Sequence, residues 1–188
     1  MLLFNLKSLN GVLDVNKIKR ASRLRSLLFQ TVCWVYPVLS VYLFFSHPNS
    51  VFEWADLGAN FNFSDLSVSQ HLVTLALYSV PLGILVLIYH KLAKLFSLYE
   101  KGCLFEPQNI QLIQSIGVYM IMSQMIQFIY QPLMTFALTF HQPTGQHIIY
   151  LSFGSTNFAT LVTGFVIVTA SWIIAEAHQL KTDVQLTI

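Results

Sequence analysis

Charge is what this 188-residue sequence has least of. Asp, Glu, Lys and Arg together make up 10% of the residues, against about 25% in ordinary soluble proteins, whereas hydrophobic residues make up 55%. So few charges do not suffice to cover a water-soluble globule of this size. The composition therefore excludes an ordinary soluble domain and predicts that lipid is the solvent for much of the surface.

Motifs of catalysis and of cofactor binding are also missing. The chain holds no GxSxG elbow, no phosphate-binding loop, no CxxC pair and no HExxH spacing. Its two cysteines, Cys33 in an apolar run and Cys103 in a polar loop, are expected to be structural thiols and not a disulfide. We therefore expect no enzyme activity and no cofactor.

What the chain does contain is four apolar stretches, each close to the roughly 20 residues that cross a hydrocarbon core as a helix. The predicted fold class is all-α, a polytopic membrane protein with four transmembrane helices in one bundle. Residues 1–188 form a single membrane domain in this prediction. Its spans lie at about 27–45, 72–90, 115–136 and 151–175.

All ten basic residues fall on one side of such a four-span protein. Six lie in the segment 1–26, three lie in the segment 91–114 between the second and third spans, and Lys181 follows the fourth span. The positive-inside rule therefore predicts an inner-membrane protein with both termini in the cytoplasm. The two predicted outer loops, which hold no Lys or Arg, are 46–71 and 137–150.

The helices are predicted to extend into the cytoplasm. The second helix continues through Lys91 to Lys101 and stops at Gly102, and Pro107 suits the first turn of the third helix. These features predict a cytoplasmic helical hairpin over 91–114. The fourth helix is expected to continue into a cytoplasmic tail, 176–188.

The residues around this hairpin resemble a known family. Leu95-Phe-Ser-Leu-Tyr99, Gly102, Phe105 and Asn109 follow the pattern LFxLYxxGxxFxxxN, and Leu186-Thr187-Ile188 stands at the C-terminal end. Both features resemble those of an uncharacterised bacterial family of four-span membrane proteins, annotated only as a domain of unknown function. The resemblance covers the whole chain in layout, and specific residues only in these two stretches.

Some members of that family are encoded beside small helix-turn-helix regulators. The resemblance therefore implies such a cytoplasmic regulator as a partner, with no direct binding of nucleic acid by the chain itself. Our leading hypothesis is a non-enzymatic membrane partner or regulator that acts through the hairpin and the tail. The residues expected to contact the partner are Phe96, Tyr99, Gly102, Phe105, Asn109, Leu186, Thr187 and Ile188.

The third span carries a polar face in place of charge. Gln124, Gln127 and Gln131 are spaced i, i+3 and i+7 and lie on one side of the helix. This spacing favours hydrogen bonds between helices inside the bundle, and the alternative function is a small channel or facilitator lined by this face. The core of every span lacks Asp, Glu, Lys and Arg, which argues against active transport.

The fourth span has a face of small residues, with Thr156, Thr160 and Gly164 at intervals of four and Ser171 further along. Such a face allows a neighbouring helix to approach closely. We expect this neighbour to be another helix of the same chain, since three of them compete for the face. Dimerisation through the face is the alternative.

Four histidines lie near the predicted outer surface, where imidazole and carboxylate groups can bind zinc. None of them has the spacing of a recognised metal site. We therefore expect no metal site and keep an outer-face metal sensor as the remaining alternative. Its candidate ligands are His47, His71, His141 and His147.

Overall fold

The computed structural model describes residues 2–52, 63, 66–103, 106–140, 149–152 and 154–186. Within these ranges the side chains are described except at 2–19, 49–50 and 181–186. The helices are α1 (Leu2–Ser46), α2 (Pro48–Val51), α3 (Val68–Glu100), α4 (Pro107–Thr139) and α5 (Ser155–Leu186).

Four of these helices are long and apolar enough to cross a membrane, as the sequence predicted. The two longest candidate spans, α3 and α4, have 33 residues each. At a rise of 1.5 Å per residue such a helix is about 50 Å long, which exceeds a hydrocarbon core of about 30 Å. The all-α fold class is confirmed. The candidate spans are Arg20–Ser46, Val68–Glu100, Pro107–Thr139 and Ser155–Leu180.

Two helices begin away from the start of the predicted membrane span. The basic segment 1–26 is continuous with the first span, because α1 begins at Leu2 and passes through Gly11 without a break. A glycine inside a helix costs only about 1 kcal/mol, so it does not by itself end a long helix. At the fourth span, α5 begins at Ser155, and the residues 149–152 before it are not helical.

Local side-chain chemistry explains where α3 and α4 begin. Ser67 and Gln70 form a capping box at the start of α3. The backbone N–H of Gln70 donates to Ser67 Oγ at 3.3 Å, and the backbone N–H of Ser67 donates to Gln70 Oε1 at 2.9 Å. Pro107 stands in the first turn of α4, where its missing N–H leaves no intrahelical bond unmade. Both starts are therefore set by residues next to them in sequence.

The long helices pack in chain order, α1 against α3, α3 against α4, and α4 against α5. In the part of the chain that the structure describes, α1 and α5 make almost no direct contact, although residues of both line the same interior cleft. Helix packing therefore closes three sides of the bundle and leaves the side between α1 and α5 open. We call the end of the bundle that carries the turn between α3 and α4 the hairpin end, and the opposite end the far end.

Two apolar clusters hold the helices together, one towards each end of the bundle. The interior cleft lies at the level between them, along the middle of α3 and α4. The far-end cluster is built on Phe44, Phe52, Tyr130, Met134 and Leu138. The hairpin-end cluster is built on Leu95, Leu112 and Ile116.

α4 and α5 approach each other backbone to backbone at a pair of glycines. A Cβ added to Gly117 would lie 2.9 Å from the Gly164 carbonyl oxygen and 2.7 Å from Val168 Cγ2. A Cβ added to Gly164 would in turn lie 3.0 Å from the Gly117 carbonyl oxygen. Ser171, on the same helix, is also buried. The small-residue face of α5 thus contacts α4 of its own chain at Gly164, whereas Thr160 lines the cleft and Thr156 is exposed.

Replacing Gly117 by Ala should lower the melting temperature of the protein in detergent. The added methyl group has no room between the helices, and overpacking of this kind costs about 1–3 kcal/mol. Thermal unfolding followed by circular dichroism measures the change. Gly83→Ala is the matched control in a helix, because nothing lies within 4 Å of a Cβ added there. Equal melting temperatures for the two variants would show that the glycine crossing is not the close contact described.

Candidate functional site

The turn at the hairpin end has a defined backbone geometry. Gly102 has a φ of 89°, a conformation that favours glycine. The Gly102 N–H donates to the Tyr99 carbonyl and the Cys103 N–H donates to the Leu98 carbonyl, each at 3.1 Å. This is a Schellman motif, which satisfies carbonyls at the end of α3 and fixes the direction in which the chain leaves it.

Asn109 joins this turn to the first turn of α4. Its side-chain Nδ2 donates to the Cys103 carbonyl, and its own backbone N–H donates to the Glu106 carbonyl at 2.9 Å. The side chain is 1% exposed, and among the described residues its Oδ1 has no hydrogen-bond partner. Asn109 therefore holds the turn from inside, and a protein bound at the surface does not reach it.

Aromatic and charged side chains connect the end of α3 to α1. Phe96 stacks on Phe29, with ring centroids 5.6 Å apart and planes at 5°, and the Arg25 guanidinium carbon lies 5.7 Å from the Phe96 centroid. Arg23 Nε lies 3.7 Å from Glu100 Oε1. This ion pair is largely exposed, and such pairs contribute little to stability. The stacked rings therefore set the position of α1 more than the ion pair does.

The predicted partner-contact residues thus occupy different surroundings. Gly102 is exposed, Phe96 and Tyr99 are half-buried, and Asn109 is buried. Three other predicted contacts, Phe105, Thr187 and Ile188, lie outside the described residues. Leu186 is described only as the last residue of α5.

The polar face of α4 divides into two parts. Gln131 Oε1 accepts a hydrogen bond from the Ser152 backbone N–H at 2.9 Å, and the Thr135 hydroxyl oxygen accepts one from the Tyr150 N–H at 3.1 Å. These two bonds attach the non-helical residues 149–152 to α4. They account for the late start of α5, because the backbone N–H groups before it are satisfied without a helix.

Gln124 and Gln127, by contrast, line the interior cleft. The cleft has a volume of about 620 Å³ and contains residues of all four long helices, among them Tyr36 of α1, Leu85 of α3 and Thr160 of α5. Most of its wall is apolar. The Gln124 Nε2 donates to Ser123 Oγ at 3.1 Å, and within the described chain its buried Oε1 has no partner.

The described histidines form no metal site. His47 is exposed, and His71 is half-buried with its Nδ1 3.1 Å from the Ser67 carbonyl oxygen. No group of three or more potential metal ligands occurs among the described residues. The other two candidates, His141 and His147, lie outside them.

The family model described as "Protein of unknown function (DUF2975)" matches residues 58–188. The chain belongs to this family. The match runs through α3, the hairpin turn, α4 and α5, and it confirms the resemblance to a family of unknown function. Comparisons of this DUF2975 protein with curated proteins and with solved structures found no match. Membership agrees with the architecture of four membrane helices and assigns no activity.

Sequence analysis did not identify the packing of two residues. Gly117 was not singled out, although an isolated glycine in an apolar helix commonly marks a close packing contact. Asn109 was predicted to contact the partner, although its position two residues after Pro107 placed it in the first turn of α4, where a side chain can bond the preceding loop. Neither signal identified the partner atom.

The surroundings of Cys103, next to Asn109, raise the pKa of its thiol. A hydrogen bond to the Glu106 side chain raises the pKa of the Cys103 thiol, and burial and the negative charge of Glu106 act in the same direction, whereas Lys101 lowers it. At neutral pH the thiolate, which is the reactive form, is therefore scarcer than for a free cysteine.

The Glu106→Gln variant should react faster with iodoacetamide at Cys103, in a Cys33→Ala background that leaves one thiol. Removing the carboxylate charge lowers the thiol pKa, so the rate-against-pH curve should move to lower pH. Lys101→Gln is the matched control with the opposite sign, because loss of the lysine should move the curve to higher pH. Curves that coincide for all three proteins would contradict this account of the turn.

Proposed function

We propose that this DUF2975 protein is a non-enzymatic protein of the bacterial inner membrane that acts on a soluble cytoplasmic partner through its hairpin and C-terminal tail. The family resemblance implies a helix-turn-helix regulator as the class of partner. The observation that carries the proposal is the turn at the hairpin end, where the Gly102 motif and the Asn109 bond give a polar surface one defined shape.

The polar surface of the turn suits contact with a protein. It is formed by exposed side chains of both signs and by exposed amides, and is named the turn surface here. A surface that is already ordered loses less conformational entropy when a partner binds, which favours affinity. The members of the turn surface are Lys101, Gly102, Glu106, Gln108, Gln111 and Gln114.

Buried residues of the family motif support this surface from below. Asn109 ties the turn to α4, and Phe96 packs on Phe29 of α1. We therefore assign these two residues to the shape of the turn surface and its exposed members to direct contact. This division refines the initial prediction, in which all motif residues contacted the partner.

The charge distribution supports a cytoplasmic hairpin. Arg20, Arg23 and Arg25 of α1 lie at the same end of the bundle as Lys101, since Arg23 is within ion-pair distance of Glu100. Basic residues next to membrane helices are retained in the cytoplasm. The turn surface would then face the compartment in which a DNA-binding regulator works.

Labelling of Cys103 tests this orientation. In the Cys33→Ala variant we expect a membrane-impermeant maleimide to leave Cys103 unlabelled in intact spheroplasts and to label it in inverted membrane vesicles. A permeant maleimide should label it in both preparations, which controls for the low reactivity of the thiol. Labelling by the impermeant reagent in intact spheroplasts would reverse the proposed orientation.

Substitutions in the turn should release the partner. The chain is co-expressed with a small helix-turn-helix regulator of the kind encoded beside family members and purified in mild detergent, and the co-purified regulator is quantified. Gly102→Val cannot adopt a φ of 89° without strain, and Asn109→Ala removes the bond to Cys103, so both should lower the yield severalfold.

Gly83→Ala is the control for that experiment, because it changes an exposed glycine of α3 away from the turn. It should leave the yield of regulator unchanged. The proposal fails if the regulator co-purifies equally with Gly102→Val, Asn109→Ala and a chain that ends at residue 180.

The alternative of a channel or facilitator has weaker support. It requires a continuous polar path along α4, but Gln131 is bonded to the Ser152 backbone and the wall around Gln124 and Gln127 is mostly apolar. A short polar patch in an apolar cleft favours binding of a molecule over passage of polar solutes.

A further inference from the structure

We infer that the interior cleft binds a small, uncharged, membrane-dissolved amphiphile, an alcohol or amide on an apolar body, whose polar group pairs with Gln124 and Gln127. The inference does not rest on the hairpin proposal, because it does not require a protein partner. Four properties of the cleft lead to it.

Size is the first property. A volume of about 620 Å³ lies within the range of about 300–1,000 Å³ that is usual for small-molecule sites. It is too small for the membrane helix of a second copy, which is about 10 Å across and spans the whole bilayer. The occupant is therefore a small molecule.

The side from which the cleft opens is the second property. Packing between α1 and α3, α3 and α4, and α4 and α5 closes three sides, and the described residues leave the side between α1 and α5 unsealed. Tyr36 of α1 and Thr160 of α5 line the cleft. Because both helices expose apolar side chains outward, a ligand enters from lipid and not from water.

Unused hydrogen-bonding capacity is the third property. Gln127 lines the cleft and forms no hydrogen bond with another part of the described chain. Gln124 uses its Nε2 on Ser123 and leaves its Oε1 without a partner. Two neighbouring hydroxyls are satisfied within α4 and α5, since Ser123 donates to the Met120 carbonyl at 2.7 Å and Thr160 donates to the Thr156 carbonyl at 2.9 Å.

Amides without partners are costly at this depth, because hydrocarbon offers neither donors nor acceptors. A ligand with a hydroxyl or amide group supplies both kinds of bond to the two glutamines one turn apart. Both residues line the cleft, and the Gln124 Oε1 is buried beside it. The polar patch thus selects a ligand with a hydrogen-bond donor.

Absence of charge is the fourth property. Among the described residues that line the cleft, none carries an ionisable acid or base of the Asp, Glu, Lys, Arg or His type. A charged headgroup would therefore be buried without a counter-ion, which is strongly unfavourable in an apolar site. The ligand is neutral, which distinguishes it from the anionic phospholipids of the bilayer.

The test uses the full chain in nanodiscs of phosphatidylcholine, a lipid without a hydrogen-bond donor. The probe is a long-chain alcohol that carries a photoreactive diazirine, and the competitors are dodecanol and dodecyl methyl ether, which has the chain and the oxygen but no donor. Dodecanol should displace the probe about three- to tenfold better than the ether. Peptides of α3 and α4 that line the cleft should carry the label.

Two variants locate the binding. Gln127→Met keeps the length of the side chain and removes the amide, so it should abolish the preference for the alcohol. Gln30→Met, at an exposed glutamine of α1 that does not line the cleft, should retain it. Leu85→Trp fills the cleft from the α3 wall and should prevent labelling altogether.

Equal displacement of the probe by dodecanol and by the ether on the unchanged protein would overturn the inference, since it would mean that chains fill the cleft without recognition. Label found mainly on the lipid-facing surfaces of α1 or α5 would overturn it as well. Both results are measured on the unchanged protein, so the inference can be tested even if the Gln127→Met variant folds poorly.

Discussion

A polar group in hydrocarbon has no water to bond, and this constraint governs both the backbone and the side chains of the bundle. The backbone meets it by forming helices. Short hydroxyl side chains meet it locally: Thr74 donates to the Gln70 carbonyl at 2.8 Å, and Thr135 and Thr139 donate one turn back in the same way. Glutamine is longer, so its amide must find a partner elsewhere.

The glutamines therefore show where a side-chain amide needs a hydrogen-bond partner outside its own helix. Gln70 caps α3 through Ser67, and Gln131 holds the residues before α5 through Ser152. In both cases the amide stabilises a boundary between helix and loop. Gln124 and Gln127 lie too far from any boundary for that, at the middle of α4, and they line the cleft. The same chemistry thus has a structural role at the ends of the helices and a proposed binding role in the middle.

The open fourth side of the bundle follows from where close contacts are possible. α4 and α5 meet at Gly117 and Gly164, and α1 meets α3 where Ser26 Oγ donates to the Ala93 carbonyl at 3.2 Å. Small residues at both crossings let backbones approach, as membrane helices require. No comparable contact joins α1 to α5 within the described residues. The cleft exists because α1 packs tightly on α3 and α5 packs tightly on α4, while α1 and α5 do not close the remaining side of the bundle.

Local chemistry was sufficient to predict much of this fold. The four spans follow from apolar length, and the ends of the hairpin helices follow from Gly102 and Pro107, whose backbone preferences act without help from the rest of the protein. The start of α5 was not predictable from its own residues, because Gln131 of another helix satisfies the backbone there. The burial of Asn109 and the existence of the cleft likewise depend on which helices become neighbours, and a sequence pattern does not specify that.

The turn surface and the cleft are not structurally independent. Leu92, Ile116 and Met120 line the cleft and also belong to the hairpin-end cluster on which the turn is built. A ligand in the cleft would therefore contact side chains that position the ends of α3 and α4. Such contact transmits a signal only if the cluster has two packings that the ligand binds with different affinity. Because close-packed side chains shift between discrete arrangements and do not deform continuously, this shared cluster is the physical connection through which the two proposed sites would influence each other.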